Sequence, residues 1–242
     1  MTLRVVRSFQ ALLMALLGMY LLSRVWNGSI LLYINQRFVI LAFFAGLCLI
    51  ILAQVLYKGR HSALGDHENR VENTATSLWW LMVPIVIGFL IPPQPLSPSA
   101  VNNRGMKIDA PLSARIEDTS QILELSPTER TVLDWIRLFS YSEDVTPYIG
   151  QPADVTGFVF YDGRLNSNQF MVGRFTITCC VADATALGII VQYPEAAVLK
   201  EHSWVRVTGR VDIFERDGRQ YPIILAETVQ PVPQPEQPYL FP

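Results

Sequence analysis

Four side chains in the C-terminal half could do chemistry together: Cys179, Cys180, Asp183 and His202. Two thiols and a carboxylate within five residues, with an imidazole further along, are ligand types for a divalent metal ion. That is the one cofactor these residues suggest. The same thiols could react with electrophiles or oxidants. A cysteine nucleophile wants a nearby base, and His202 is the only histidine between residues 100 and 242. Enzymatic use of Cys180 is therefore the weaker expectation, and non-enzymatic binding the stronger. A core cysteine beside a half-exposed one is the plain alternative, and a contact with a partner is another. A disulfide between the neighbours is disfavoured, because bridged cysteines need a wider Cα separation than opposite-facing neighbours in a strand offer.

The segment Arg174–Ala182 has the Val, Ile, Thr and aromatic content of a β-strand. Side chains alternate along a strand. Phe175, Ile177, Cys179 and Val181 then share the more apolar face, which predicts Cys179 in the core. Cys180 is expected to point outward, next to Asp183 at the strand's end. On this pattern the two thiols do not act on one ligand.

Further strands are expected over Asp154–Tyr161, Leu187–Tyr193, Ser203–Phe214 and Tyr221–Val229, with a hairpin turn at Asp217-Gly218 and a short helix in Pro194–Glu201. Three strands, a helix and two strands is the order of an OB-like small β-barrel. Val-Thr-Gly-x-Val occurs at 155–159 and again at 207–211. It suggests two equivalent strands in which Gly157 and Gly209 permit sharp coiling. An amphipathic helix precedes them. Ser126-Pro127-Thr128-Glu129 reads as its capping box, and Val132, Trp135, Ile136 and Phe139 form its apolar stripe.

The N-terminal third is of another kind. Ser8–Ser23, Phe38–Tyr57 and Ser77–Ile91 are apolar runs. The second has the length of a bilayer core, about 30 Å at ~1.5 Å per residue. The third is short, with Trp79 and Trp80 placed for an interfacial belt. The first lacks a small-residue cleavage site and reads as a retained anchor. The expected organisation is a transmembrane region over 1–92, with spans about 8–23, 38–57 and 77–91. A Pro-rich connector over 93–120 and a helix-plus-β domain over 121–242 come next. Arg4, Arg7, Lys58, Arg60 and Arg70 outnumber Arg24 and Arg37. The positive-inside rule then puts the N-terminus and the 58–76 loop in the cytoplasm, and after three spans the C-terminal domain outside the plasma membrane. His61, Asp66, His67, Glu68 and Glu72 in that loop have no recognised ligand spacing and read as solvated.

Charge divides the same way. Residues 1–99 carry seven Lys/Arg and three Asp/Glu; residues 100–242 carry twelve and eighteen. An acidic soluble half is unsuited to a phosphate backbone, so nucleic acid is not an expected partner, whereas membrane lipid is.

Several stretches resemble the YcgQ-type bacterial membrane proteins, described as permease subunits. They are Leu32-Tyr33-Ile34-Asn35-Gln36-Arg37-Phe38, Val83-Pro84-Ile85 through Pro92-Pro93, and Arg104-Gly105. In the C-terminal half they are Val155–Val159, Arg174–Ala184, Trp204-Val205 with Gly209, and Pro238-Tyr239-Leu240-Phe241. Gln36 departs from the family, which tends to have proline there. Gly157, Arg174, Trp204 and Gly209 belong to this pattern as structural positions. The resemblance implies a companion multi-spanning permease and names no cargo.

Overall fold

The computed structural model describes residues 3–59, 82–83, 85–108, 120–216 and 218–242. It divides into two compact units, Met1–Gln94 and Pro95–Pro242.

In the first unit, α1 (Leu3–Trp26) and α2 (Val39–Gly59) are the two described helices long and apolar enough to cross a membrane. They meet at two glycines. A Cβ on Gly18 would lie 2.8 Å from the Gly46 carbonyl oxygen, and one on Gly46 would lie 2.9 Å from Leu22. Small residues at such a crossing let backbones approach where lipid supplies no hydrophobic drive for association. The outer face of α2 exposes Ile40, Phe44, Ile51 and Val55, as a lipid-facing helix must. Of the expected span 77–91, residues 77–81 and 84 lie outside the described residues. Residues 85–90 are helical, Met82 and Ile85 pack on Val6 and Leu13, and Arg24 donates to the Gly88 carbonyl at 3.0 Å. The 60–76 part of the charged loop, with its histidines, also lies outside the described residues.

The second unit is a mixed seven-stranded sheet domain with the strand order β1-β4-β6-β5-β2-β3-β7 and a further β3–β4 pairing. The strands are β1 (Met106–Lys107), β2 (Pro152–Phe160), β3 (Gln169–Thr176), β4 (Thr185–Gln192), β5 (Trp204–Arg216), β6 (Arg219–Pro231) and β7 (Tyr239–Leu240). Ladders β2–β3, β2–β5, β3–β4 and β5–β6 are antiparallel, while β1–β4, β3–β7 and β4–β6 are parallel. The domain departs from the evenly closed barrel expected from strand order. β2 meets β3 only over Phe158–Phe160, and β4 meets β6 only over Ile190–Gln192. The two-residue strands β1 and β7 extend the sheet at its ends. The helix expected in Pro194–Glu201 is a single 3₁₀ turn, Ala196–Val198.

Helix α3 (Val132–Tyr141) buries Val132, Trp135, Ile136 and Phe139 against the strands' inward residues, among them Val155, Val172, Ile189, Val207 and Ile224. The Ser126–Glu129 capping box is present but caps only a 3₁₀ turn, Pro127–Glu129. Arg130 is extended, and α3 opens on a second box in which Thr131 and Asp134 satisfy each other's backbone N–H groups.

The two Val-Thr-Gly-x-Val repeats lie side by side, with Val155 opposite Val207. Their glycines are required by close backbone approach. A Cβ on Gly157 would sit 2.5 Å from the Gly173 carbonyl oxygen. On Gly209, at a register shift in β5, it would sit 2.2 Å from that of Leu225. Because backbone cannot yield as a side chain can, Gly209→Val is expected to destabilise the domain by about 3 kcal/mol or more. Faster hydrogen exchange in β5 and β6 of the full-length protein is the readout; protection equal to that of the unaltered protein would contradict it.

Candidate functional site

The cysteines stand on the β3–β4 connection. β3 ends at Thr176, and Ile177 makes the last inward contact, fully buried, with its N–H donating to the Leu240 carbonyl of β7 at 3.1 Å. The chain then leaves the sheet, so the strand expected to reach Ala182 stops six residues early. Beyond Ile177, alternation no longer orients the side chains. Cys179 is exposed rather than in the core, and Cys180 is half-buried.

Asp183 organises the turn. Its Oδ1 accepts the Thr178 N–H at 3.0 Å; its Oδ2 accepts that of Cys179 at 2.7 Å and that of Cys180 at 3.4 Å. It closes a capping box with Cys180 at the start of the 3₁₀ turn Val181–Asp183. Arg104 fastens the turn from the connector, with Nη1 donating to the carbonyls of Ala184 at 2.8 Å and Ala182 at 3.3 Å. The connector itself is held by fully buried Val101 and by pairing of Met106 and Lys107 with Ala186 and Leu187.

This fold-back brings the thiols together, Sγ to Sγ at 3.7 Å. The ligand atoms of Cys179, Cys180 and Asp183 all lie within 4.8 Å of one another. The thiols therefore share a face, against the expectation that the strand would part them. His202 does not join this group. It sits in a left-handed turn (φ 64°) before β5, its N–H bonded to the Val159 carbonyl at 2.8 Å, and its buried Nε2 has no hydrogen-bond partner among the described residues.

The electrostatics oppose thiolate formation at Cys179. The hydrogen bond to the Asp183 carboxylate, then the one to Cys180, pushes its pKa up to about 11. Burial pushes the Asp183 carboxyl pKa upward, but hydrogen bonds from the Cys179 thiol and the three amides outweigh it, so the net shift is downward.

The other motif residues form the scaffold behind this loop. Arg174 is buried in β3, with Nε donating to the Pro238 carbonyl at 2.9 Å, Nη2 to that of Gln237 at 2.9 Å and Nη1 to that of Thr156 at 3.2 Å. Its guanidinium lies 5.3 Å from the centre of the Trp204 ring. Arg174 thus holds down the segment that carries β7, whose Leu240 carbonyl anchors Ile177. Arg104 and β7 are parts of the site that residue chemistry alone does not single out. Their signal lies in the Arg104-Gly105 and Pro238–Phe241 stretches.

Apolar helices followed by a mixed-sheet domain with a thiol–carboxylate turn define a two-part membrane protein. Residues 9–107 match the model of the DUF1980 N-terminal domain and residues 121–242 that of the DUF1980 C-terminal domain. The chain belongs to this family, that of the YcgQ-type membrane proteins. It is 24% identical over 96 residues to the UPF0703 protein YcgQ of Bacillus subtilis (strain 168), a match covering 39% of this chain and 34% of that protein. It is also 24% identical over 263 residues to a protein of Streptococcus mutans serotype c (strain ATCC 700610 / UA159). That relative is named as a candidate subunit of a two-component membrane permease complex, and the match covers 93% of this chain and 94% of it. The chain's match thus spans about a third of the Bacillus protein and nearly all of the Streptococcus one.

Proposed function

We propose that this chain is the accessory subunit of a permease complex in the plasma membrane. Its apolar helices dock on a multi-spanning partner and its C-terminal domain stands outside the cytoplasm to receive or guard the cargo. The end-to-end match to the Streptococcus permease-complex subunit carries this reading. Two apolar helices with lipid-type outer faces support it. The helical residues 85–90, packed on α1, support reading a third span, and with three spans the positive-inside rule favours a domain outside the cytoplasm. The succession of pairings β2–β3–β4–β6–β5–β2 supports reading the domain as OB-like, a fold whose members bind ligands on an open face.

Affinity purification of the tagged protein from its own membranes after mild crosslinking is expected to recover a polytopic membrane protein in a fixed ratio. Recovery of the chain alone would remove the permease assignment. A second function, a stand-alone metal or thiol sensor of the cell envelope, is favoured by the gathered thiols of Cys179 and Cys180. It predicts that deleting the polytopic partner leaves the response to metal intact; an accessory subunit predicts that the response disappears with the partner.

A further inference from the structure

We infer that Cys179 and Cys180 together bind one thiophilic metal ion of the zinc class, with Asp183 as the third protein ligand and the fourth position open to solvent. The inference deepens the external-domain reading and does not depend on the permease assignment.

Spacing is the first ground. A tetrahedral ion with metal–sulfur bonds of about 2.3 Å holds two sulfurs roughly 3.8 Å apart. The fold of the turn alone sets the two thiols 3.7 Å apart. A linear two-coordinate ion would need roughly twice the bond length, about 4.5 Å. The pair is thus set for adjacent corners of a tetrahedron.

The second ground is preorganisation. Neighbouring residues in a strand would point their thiols to opposite faces. Here Asp183 takes the amides of Thr178, Cys179 and Cys180, and Arg104 holds the carbonyls of Ala182 and Ala184. These protein contacts by themselves build the turn that puts both sulfurs on one side. Oδ1 of Asp183 accepts the Thr178 amide, and a carboxylate oxygen has a second lone pair to offer. With all three ligand atoms already within 4.8 Å of one another, a small side-chain adjustment brings them to one ion.

The ligand chemistry selects the class. Two thiolates favour zinc-like and softer ions over magnesium or calcium, which take oxygen. Binding releases both thiol protons to solvent, leaving two thiolates and one carboxylate around a dication, with a net charge of −1 on the site. Exposure at Cys179 and an open fourth position suit an ion that exchanges, in contrast to the closed four-ligand sites of structural zinc.

Cadmium is the probe, because its thiolate charge-transfer band reports sulfur ligation directly. Titration of the reduced full-length protein in detergent is expected to give a band that saturates at one ion per chain and is displaced by zinc. Cys48→Ala should leave it unchanged. Cys179→Ser and Cys180→Ser should each cut affinity by at least tenfold, and Asp183→Asn by a smaller factor. In the unaltered protein, which removes any question of misfolded variants, zinc is expected to shield both thiols from alkylation together. No band, a band that Cys48→Ala abolishes, or shielding of a single thiol would overturn the site. Each result is read on the isolated chain, so failure here is distinct from failure to recover a permease partner.

Discussion

Replacing Arg174 by methionine is expected to release the C-terminal strand from the sheet and to loosen the cysteine turn with it. The guanidinium is buried in β3 and serves three carbonyls, of Thr156, Gln237 and Pro238. Among the described residues no carboxylate forms an ion pair with it. Burial pushes its pKa down to about 10, so the group is still charged at neutral pH and its neutralisation is by carbonyl dipoles and the Trp204 face. Methionine fills much of the volume but leaves three acceptors without a donor, each worth about 1–3 kcal/mol when buried. Water can reach part of the gap, so a loss of roughly 3 kcal/mol or more is expected. Lysine is not expected to rescue the strand, since one ammonium on a flexible stem cannot span carbonyls arranged around a planar fork. Hydrogen exchange localises the effect. Residues 237–240 and the Ile177 amide should lose protection in both variants, while α1 and α2 keep theirs. Unchanged protection at Ile177 would show that β7 is held by other means.

How much of this is legible in the sequence depends on the range of the interaction. The long strands declare themselves through β-branched and aromatic runs, and the stripe Val132, Trp135, Ile136, Phe139 locates α3. The short strands β1 and β7 do not, because two residues carry no period; they are strands only through partners 80 and 64 positions away, at Ala186 and Phe175. The parallel β4–β6 ladder is likewise long-range, whereas the hairpin at Gly218 is local and readable. The cysteine turn departs from expectation for a local reason. Period-two alternation does not extend past Ile177, where the backbone amides stop pairing with the sheet and turn to Asp183. The sign is present in the sequence: Cys180-Val181-Ala182-Asp183 places a carboxylate three residues after a small polar side chain, the spacing of a capping box. Thr131-Val132-Leu133-Asp134 has the same spacing, and α3 starts there rather than at the earlier box on Ser126. In both places a short acid-capped turn outweighs strand or helix continuity, since amides leaving regular structure must find acceptors.

Asp183→Asn is expected to speed alkylation of Cys179 at pH 8 by roughly tenfold or more, a gain of reactivity from removing a charge. In the unaltered protein the carboxylate accepts from the Cys179 thiol and stands beside the sulfur, and with Cys180 it moves the pKa from the ordinary 9.0 to about 11. The thiolate is the reactive form, so Cys179 is slow at neutral pH. Asparagine keeps one acceptor oxygen for the amides of Cys179 and Cys180, gives up the one that takes the Thr178 amide, and does not repel a thiolate, so the pKa falls back toward the ordinary range. Cys180 contributes to the shift as well, which keeps the gain below the full hundredfold that two pKa units represent. The charged group bearing on the sulfur is Asp183 within the turn. Arg104 is committed to the Ala182 and Ala184 carbonyls, and Arg104→Gln should change the rate far less. The linkage has two edges. Stabilisation from the raised Cys179 pKa is present below the ordinary thiol value and is lost as pH rises through about 11. Stabilisation from the lowered Asp183 pKa is present above the ordinary carboxyl value and is lost as pH falls through the lowered one. Mass spectrometry of alkylated peptides across a pH series separates Cys179 from Cys180 and Cys48. The expected profile for Cys179 rises with pH until about 11 in the unaltered protein and bends earlier in Asp183→Asn. Equal rates in the two proteins would show that Asp183 shapes the turn through its amide contacts alone. A thiol suppressed by its own structural carboxylate is a poor nucleophile, but a metal dication removes that suppression by turning the same carboxylate from a repulsive neighbour into a ligand.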